Sequence, residues 1–183
     1  MTRFLSGDKI YLRGLTKEDC QQDYLCMAND VEISTFVEGI GYYPLSPSDL
    51  EEYIESNNNY SNMLLGIFEN SSNKHVGNIH LSQIKPHHNN CMLGIVLSKD
   101  FTGKGYAFEA VNLVTKHAFE TMNIHRIQIN VIEMNGRAVN LYERAGAVKE
   151  GRLREAFYYQ NKYHDILIYS MLKDEYFSRL QNK

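Results

Sequence analysis

Long apolar runs are missing. No stretch of the 183 residues approaches the roughly 18 apolar residues of a membrane-spanning helix, so no membrane partner is expected. A basic excess is missing too. Lys and Arg number 19 against 22 Asp and Glu, the net charge is −3, and no basic stripe dominates, which argues against a nucleic-acid partner. Cysteine is scarce: Cys20, Cys26 and Cys91 make an odd count with no C-x-x-C spacing. Neither a disulfide framework nor a zinc site is expected, and the thiols read as free in a reducing cytoplasm. Met1 to Asp8 carry no signal-peptide apolar run, which fits the same cytoplasmic expectation. His87-His88 sits in a turn without a third ligand close in sequence, so no metal is expected. Repeats and linkers are absent, and 43% hydrophobic with 22% charged residues is ordinary for one folded domain over 1–183.

Two nucleotide loops are also excluded. Gly103 and Gly105 stand too close together for a Walker A loop, and Phe108 occupies the place of the third glycine of a dinucleotide fingerprint. What is present is Asp100-Phe101-Thr102-Gly103-Lys104-Gly105-Tyr106-Ala107-Phe108-Glu109, between a strand-like run (Cys91 to Leu97) and a helix-like run (Tyr106 to Met122). A strand, a Gly-rich turn and a helix start offer several backbone N–H groups and the positive end of a helix dipole. Glycine lets an anion approach that backbone, so the spot suits a pyrophosphate.

The rest of the chain gives the frame. Lys9 to Leu15 alternates and predicts a half-buried strand. Thr16 as N-cap with Asp19 at N3 predicts a helix to about Asn29. Val31 to Val37 predicts a second short helix. Ser46-Pro47-Ser48-Asp49 is a stronger start signal, with Leu50, Tyr53 and Ile54 on one face and Asn57-Asn58-Asn59 as the stop. Its acids, Asp49, Glu51, Glu52 and Glu55, form a wet face that could also attract a cation. Met63 to Phe68, Val76 to Ile84 and Cys91 to Leu97 predict an antiparallel meander. Ile127 to Val131 predicts a strand, Gly136 to Ala145 a helix stopped by Gly146, and Val148 to Tyr159 with Asp165 to Met171 a closing hairpin.

With these motifs in place, the sequence resembles the GNAT superfamily of acetyl-CoA-dependent N-acetyltransferases. The resemblance is carried by Gly103-Lys104-Gly105-Tyr106-Ala107, Glu109-Ala110, His117-Ala118-Phe119, Asn135, Tyr142-Glu143-Arg144-Ala145-Gly146, Glu150-Gly151-Arg152-Leu153-Arg154 and Tyr163-His164-Asp165. These segments are similar to the ribosomal-protein N-terminal, spermidine and amino-sugar acetyltransferases. The resemblance implies an α+β fold: a mixed, mostly antiparallel central sheet of about six to seven strands flanked by about four helices. It implies acetyl-CoA as co-substrate and no metal. It places the pyrophosphate on Thr102, Gly103, Lys104, Gly105, Tyr106 and Ala107, with Thr102 standing where Arg or Gln is usual. It pairs the pantetheine arm with the backbone of Ile95, Val96 and Leu97, as an added strand would pair. It gives Asn135 to the coenzyme and makes Tyr142 the general acid beside the thioether sulfur.

A phenol near ~10 giving its proton to a thiolate near ~8.5 is uphill, so Tyr142 is expected chiefly to donate a hydrogen bond. The base is open. Met92 occupies the usual Glu position and takes no proton, which leaves His80, Glu133 or a water chain. No cysteine or serine lies in a nucleophile motif, so direct attack by a primary amine is expected. An alkylamine near ~10.4 is neutral in only about one molecule in 2,500 at pH 7. Spermidine acetyltransferases, by the resemblance, place carboxylates near the positions of His80 and Gln83. The less basic amine of a nucleotide-linked amino sugar is therefore the expected acceptor, with spermidine or a ribosomal-protein N-terminus as alternatives. Gly39-Ile40-Gly41-Tyr42-Tyr43-Pro44 adds groups that suit a sugar or base face. A non-catalytic acetyl-CoA-binding regulator is the rival from another class, and a homo-oligomer is compatible with the sequence.

Overall fold

The structure is a computed structural model that describes residues 2–34 and 43–181. Its strands are β1 (Leu5–Ser6), β2 (Ile10–Gly14), β3 (Asn58–Asn59), β4 (Asn62–Glu69), β5 (His75–Lys85), β6 (Asn90–Leu97), β7 (Arg126–Ile132), β8 (Val148–Tyr159) and β9 (Lys162–Leu172). Its helices are α1 (Gln22–Ala28), α2 (Val31–Ser34), α3 (Pro47–Ser56), α4 (Tyr106–Glu120), α5 (Gly136–Ala145) and α6 (Lys173–Gln181). Among the described residues the strands form one sheet in the order β1-β2-β4-β5-β6-β7-β9-β8, with β3 on β4. This is the expected mixed α+β sheet, longer by the two short strands β1 and β3 and with a C-terminal helix added.

The alternation along the strands sends two apolar sets to opposite faces. Ile10, Leu12, Ile67, Ile79, Leu81, Leu93, Ile127 and Ile129 pack with Ala110, Val111, Val114 and Tyr142 of α4 and α5. Tyr11, Leu64 and Phe68 pack with Tyr24, Met27, Leu50 and Ile54 of α1 and α3, and Ile33 of α2 joins them. The sheet is thus covered on both sides.

Local signals set most element boundaries. Ser46 caps α3: the Asp49 amide donates to Ser46 Oγ (3.3 Å), and the Ser46 amide donates back to Asp49 Oδ2 (2.7 Å). The helix predicted from Thr16 to Asn29 is broken. Lys17–Cys20 forms a 3-10 turn, Gln21 is extended, and α1 starts only after it. The cause is a tie between the strand and the turn. Arg13 of β2 donates twice to the Asp19 carboxylate (2.7 Å each), and the Thr16 amide donates to it as well (2.8 Å). That turn is fixed to the strand, while α1 is placed by its own buried Tyr24 and Met27. The second short helix is present over Val31–Ser34, and residues 35–37 of the predicted span lie outside the described residues. So do residues 39–42 of the aromatic stretch, while Tyr43 is exposed. Of the acidic face of α3, Glu51 and Glu55 bracket Lys17 at 3.3 and 3.6 Å. Among the described residues, no helix is long and apolar enough to cross a membrane.

The feature that creates a site is the one parallel pairing among the described residues. β6 and β7 pair only through Asn90–Met92 and Arg126–Gln128, and then diverge. Beyond Met92 no strand of the described residues pairs with the β7-facing edge of β6, while its other edge stays paired with β5 through Leu97.

Candidate active site

The gap between the diverging strands is a cleft of about 940 Å³. Gly94 to Leu97 form one wall and Asn130 to Ile132 the other. Gly103, Gly105, Tyr106 and Ala107 line one end of it, and Leu141 and Tyr142 of α5 line a side. Glu32 and Ile33 of α2 also reach it from the opposite face of the sheet, so the cleft is open to both faces.

The Gly-rich turn has the geometry of an anion cradle. Gly103 and Gly105 take left-handed φ values of 78° and 88°, and Gly105 is the N-cap of α4. A Cβ on Gly103 would meet nothing within 4 Å, so its bare backbone borders open space. The first amides of α4 have no helical partner and carry the positive end of its dipole. Thr102 does not supply a long polar arm; its hydroxyl donates to the Lys99 carbonyl (2.9 Å) and closes the preceding turn. The Lys104 ammonium lies over the Phe101 ring, 4.5 Å from its centroid. The turn is braced from the N-terminus: Lys9 Nζ donates to the Lys104 carbonyl (3.1 Å), and the Lys9 amide donates to Glu109 (3.0 Å). Gly7 lies close to this contact: a Cβ there would fall 2.0 Å from Glu109 Oε1, so the Glu109 side chain would have to shift. Tyr106 donates to Glu69.

Tyr142 is 4% exposed and sits on a helix fixed at both ends. At the start, the Ala138 amide donates to Asn135 Oδ1 (3.1 Å), so Asn135 is the N-cap of α5 as well as a cleft residue. At the end, Gly146 takes φ 96°, and Arg179 of α6 donates to the Ala145 carbonyl (2.6 Å). Burial pushes the Tyr142 phenol up, and the backbone of Ile95, which hydrogen-bonds it, works the other way. The phenol keeps its proton at neutral pH and can donate a hydrogen bond into the cleft.

The two base candidates are far apart in role. His80 lies on β5 directly opposite Gly94 of the cleft wall. Its Nε2 is buried without a hydrogen-bond partner, and burial lowers its pKa, which favours the neutral ring. Glu133 follows the end of β7. Its neighbours Ile132 and Met134 line the cleft, but Glu133 is paired with Arg152, which also holds Asp165 at 2.8 Å. His87 and His88 are exposed in their turn, and among the described residues no three or more His, Cys, Asp or Glu side chains gather to hold a metal.

Sequence reasoning missed three cleft features. Glu32 pairs with Lys99 across the cleft (2.6 Å), and Arg144 stacks over Phe108 at 4.8 Å. Both are tertiary contacts with no local signal. Gly94 had a signal, a glycine inside an aliphatic strand, that went unread.

Comparison with known proteins agrees with this geometry. The family model of the GNAT acetyltransferase domain matches residues 9–148. The spermidine N(1)-acetyltransferase of Vibrio cholerae is 30% identical over 113 residues, which is 62% of this chain and 65% of that protein's length. The probable N-acetyltransferase YjcK of Bacillus subtilis is 29% identical over 160 residues, 82% of this chain and 87% of that one. A crystal structure of the Vibrio cholerae spermidine N-acetyltransferase in complex with CoA and spermine superposes with a TM-score of 0.83. It is 25% identical and covers 92% of this chain and 98% of that one.

Proposed function

The chain belongs to the GNAT acetyltransferase family, and on that premise we propose that it moves the acetyl group of acetyl-CoA to a primary amine of a small polyamine. The observation that carries the transferase reading is the cleft between β6 and β7, with an anion cradle at one end and a buried, protonated tyrosine on its side. The residues fit the coenzyme. Positive-φ glycines expose amides for the pyrophosphate, and the unpaired edge of Ile95, Val96 and Leu97 suits an amide-bearing arm.

In this reading the amine enters from the α2 face and attacks the thioester carbonyl directly. His80 or a water chain takes the amine proton, and Tyr142 donates a hydrogen bond to the departing thiolate. Because burial raises the phenol, Tyr142 serves better as a donor that stays protonated than as an acid that gives its proton away. The intact Tyr142 site argues against a regulator that only binds the coenzyme.

The acceptor departs from the amino-sugar expectation. The Vibrio cholerae relative is named for spermidine, by sequence and by structure, and this supports the polyamine alternative. The amino-sugar argument keeps one support: the carboxylates at and beside the cleft already hold cations, Glu32 with Lys99 and Glu133 with Arg152.

Thiol release from acetyl-CoA, measured with spermidine, a nucleotide amino sugar and an N-terminal peptide, tests both levels. The expected result is the highest kcat/KM for spermidine. A higher value for the amino sugar or the peptide would replace the acceptor, and no release with any amine would remove the enzyme reading.

A further inference from the structure

We infer that Gly94 is the position that leaves room for the acceptor amine beside the thioester, so that the side chain it lacks is part of the active site. This rests on the acetyltransferase reading above. Glycine weakens a strand interior and is ordinarily kept there for a bulge or for close backbone approach. Two glycines of the same sheet are closely packed, one of them against backbone. A Cβ on Gly77 would sit 2.3 Å from the Val96 carbonyl, and one on Gly66 would sit 2.6 Å from both Leu15 and Phe68.

Gly94 meets neither condition. A Cβ there would find nothing within 4 Å, and its φ is not among the positive values found at Gly103, Gly105 and Gly146. Its pairing with β5 is regular, with Leu93 opposite Leu81 and Ile95 opposite Ile79. Packing and backbone geometry both allow a side chain, in a run that is otherwise Leu93, Ile95, Val96 and Leu97. What remains is the space itself.

The direction of that space is fixed by the strand. Leu93 and Ile95 face the cluster that contains Tyr142 and α4. Gly94 therefore faces the other way, with Val96, toward the cluster of α1 and α3 and beside its register partner His80. Gly94 lines the cleft, and so do Glu32 and Ile33 of α2 on that same face. The Gly-rich turn and Tyr142 belong to the opposite face. An amine arriving from the α2 side would reach the acyl carbon through the volume that a side chain at Gly94 would fill.

The test is Gly94→Ala with Gly94→Ser as a second variant. For each, kcat/KM is measured with spermidine and with whichever other amine the wild type accepts best. CoA Kd is measured by calorimetry, and Tm by thermal unfolding. Filling the space with a methyl group should lower kcat/KM for the acceptor about tenfold, the scale of one misplaced methylene in a pocket. CoA Kd should not change, and Tm should hold or rise because a strand glycine has been removed. Unchanged kcat/KM in both variants would overturn the inference. A matching loss of CoA affinity would give the space to the coenzyme, and a fall in Tm would make Gly94 structural; either would overturn it too. A drop confined to propionyl-CoA against acetyl-CoA would assign the space to the acyl chain and likewise overturn it. A wild-type protein that acetylates no amine fails the proposed function instead, and is told apart because it fails before any variant is made.

Discussion

At the scale of single residues, Tyr142 carries the sharpest test. It is buried, faces the cleft and touches the Ile95 backbone through its hydroxyl. Tyr142→Phe keeps the ring that packs with Val114 and Ala110 and removes only the donor. Turnover should fall on the order of 100-fold, with kcat and kcat/KM falling together, because the bond matters in the transition state. Wild-type turnover would make Tyr142 a packing residue. The sequence pointed to Tyr142 through a local pattern, Tyr142 to Gly146, that also sets the end of α5. Glu133 shows where local reading stops at this scale. Nothing local says that Arg152, on a different strand, takes its carboxylate.

At the scale of elements, the Gly-rich turn at the start of α4 is the unit. Within the protein its requirement for glycine is conformational: Gly105 has φ 88°, while a Cβ there would meet only Lys9 Nζ at 3.6 Å, an ordinary contact. A β-branched residue at that φ costs about 1–3 kcal/mol. Gly105→Val should therefore move the backbone amides and weaken CoA binding about tenfold or more, with a modest fall in Tm. Calorimetry giving wild-type CoA affinity would remove the turn from the coenzyme site. The turn and helix were legible because cap, glycines and apolar face lie within one stretch of chain. The brace from Gly7 and Lys9 was not, since it joins residues about a hundred positions apart in the sequence.

At the scale of the whole molecule, pH should act through buried histidine. His75 lies between the Tyr24 and Phe68 rings, with Nε2 bonded to the Gly77 carbonyl (2.9 Å) and Asn78 Oδ1 (2.8 Å), and with Nδ1 buried without a partner. Burial lowers its pKa, outweighing the bond to Asn78 and the charge of Asp19. The unfolded chain then binds a proton near ~6.5 that the folded chain refuses. Stability is present above that value and is lost as pH falls toward the folded pKa of His75. Burial of His80 adds in the same direction. Carboxylates act in a lower window: hydrogen bonds from Arg126 hold Glu150 down to about 2. Urea midpoints at pH 7.5 and 5.5 should drop between the two, and His75→Gln should be less stable at both but flatter. An equal slope in the variant would shift the effect to other groups.

The sequence by itself determined the parts whose causes are local. Alternation wrote β2 and β4 to β7, Ser46 and Asp49 wrote the start of α3, and Gly146 wrote the end of α5, because each depends on neighbours within a turn or a strand. It also carried the family through motifs that stay contiguous. Tertiary structure alone decided the insertion of β9 between β7 and β8 and the divergence of β6 from β7 that opens the cleft. It also set His80 opposite Gly94, gave Glu133 to Arg152 and brought Arg179 of α6 onto the end of α5. These depend on which distant segments meet, and sequence periodicity fixes the face a side chain takes but not the partner it finds there.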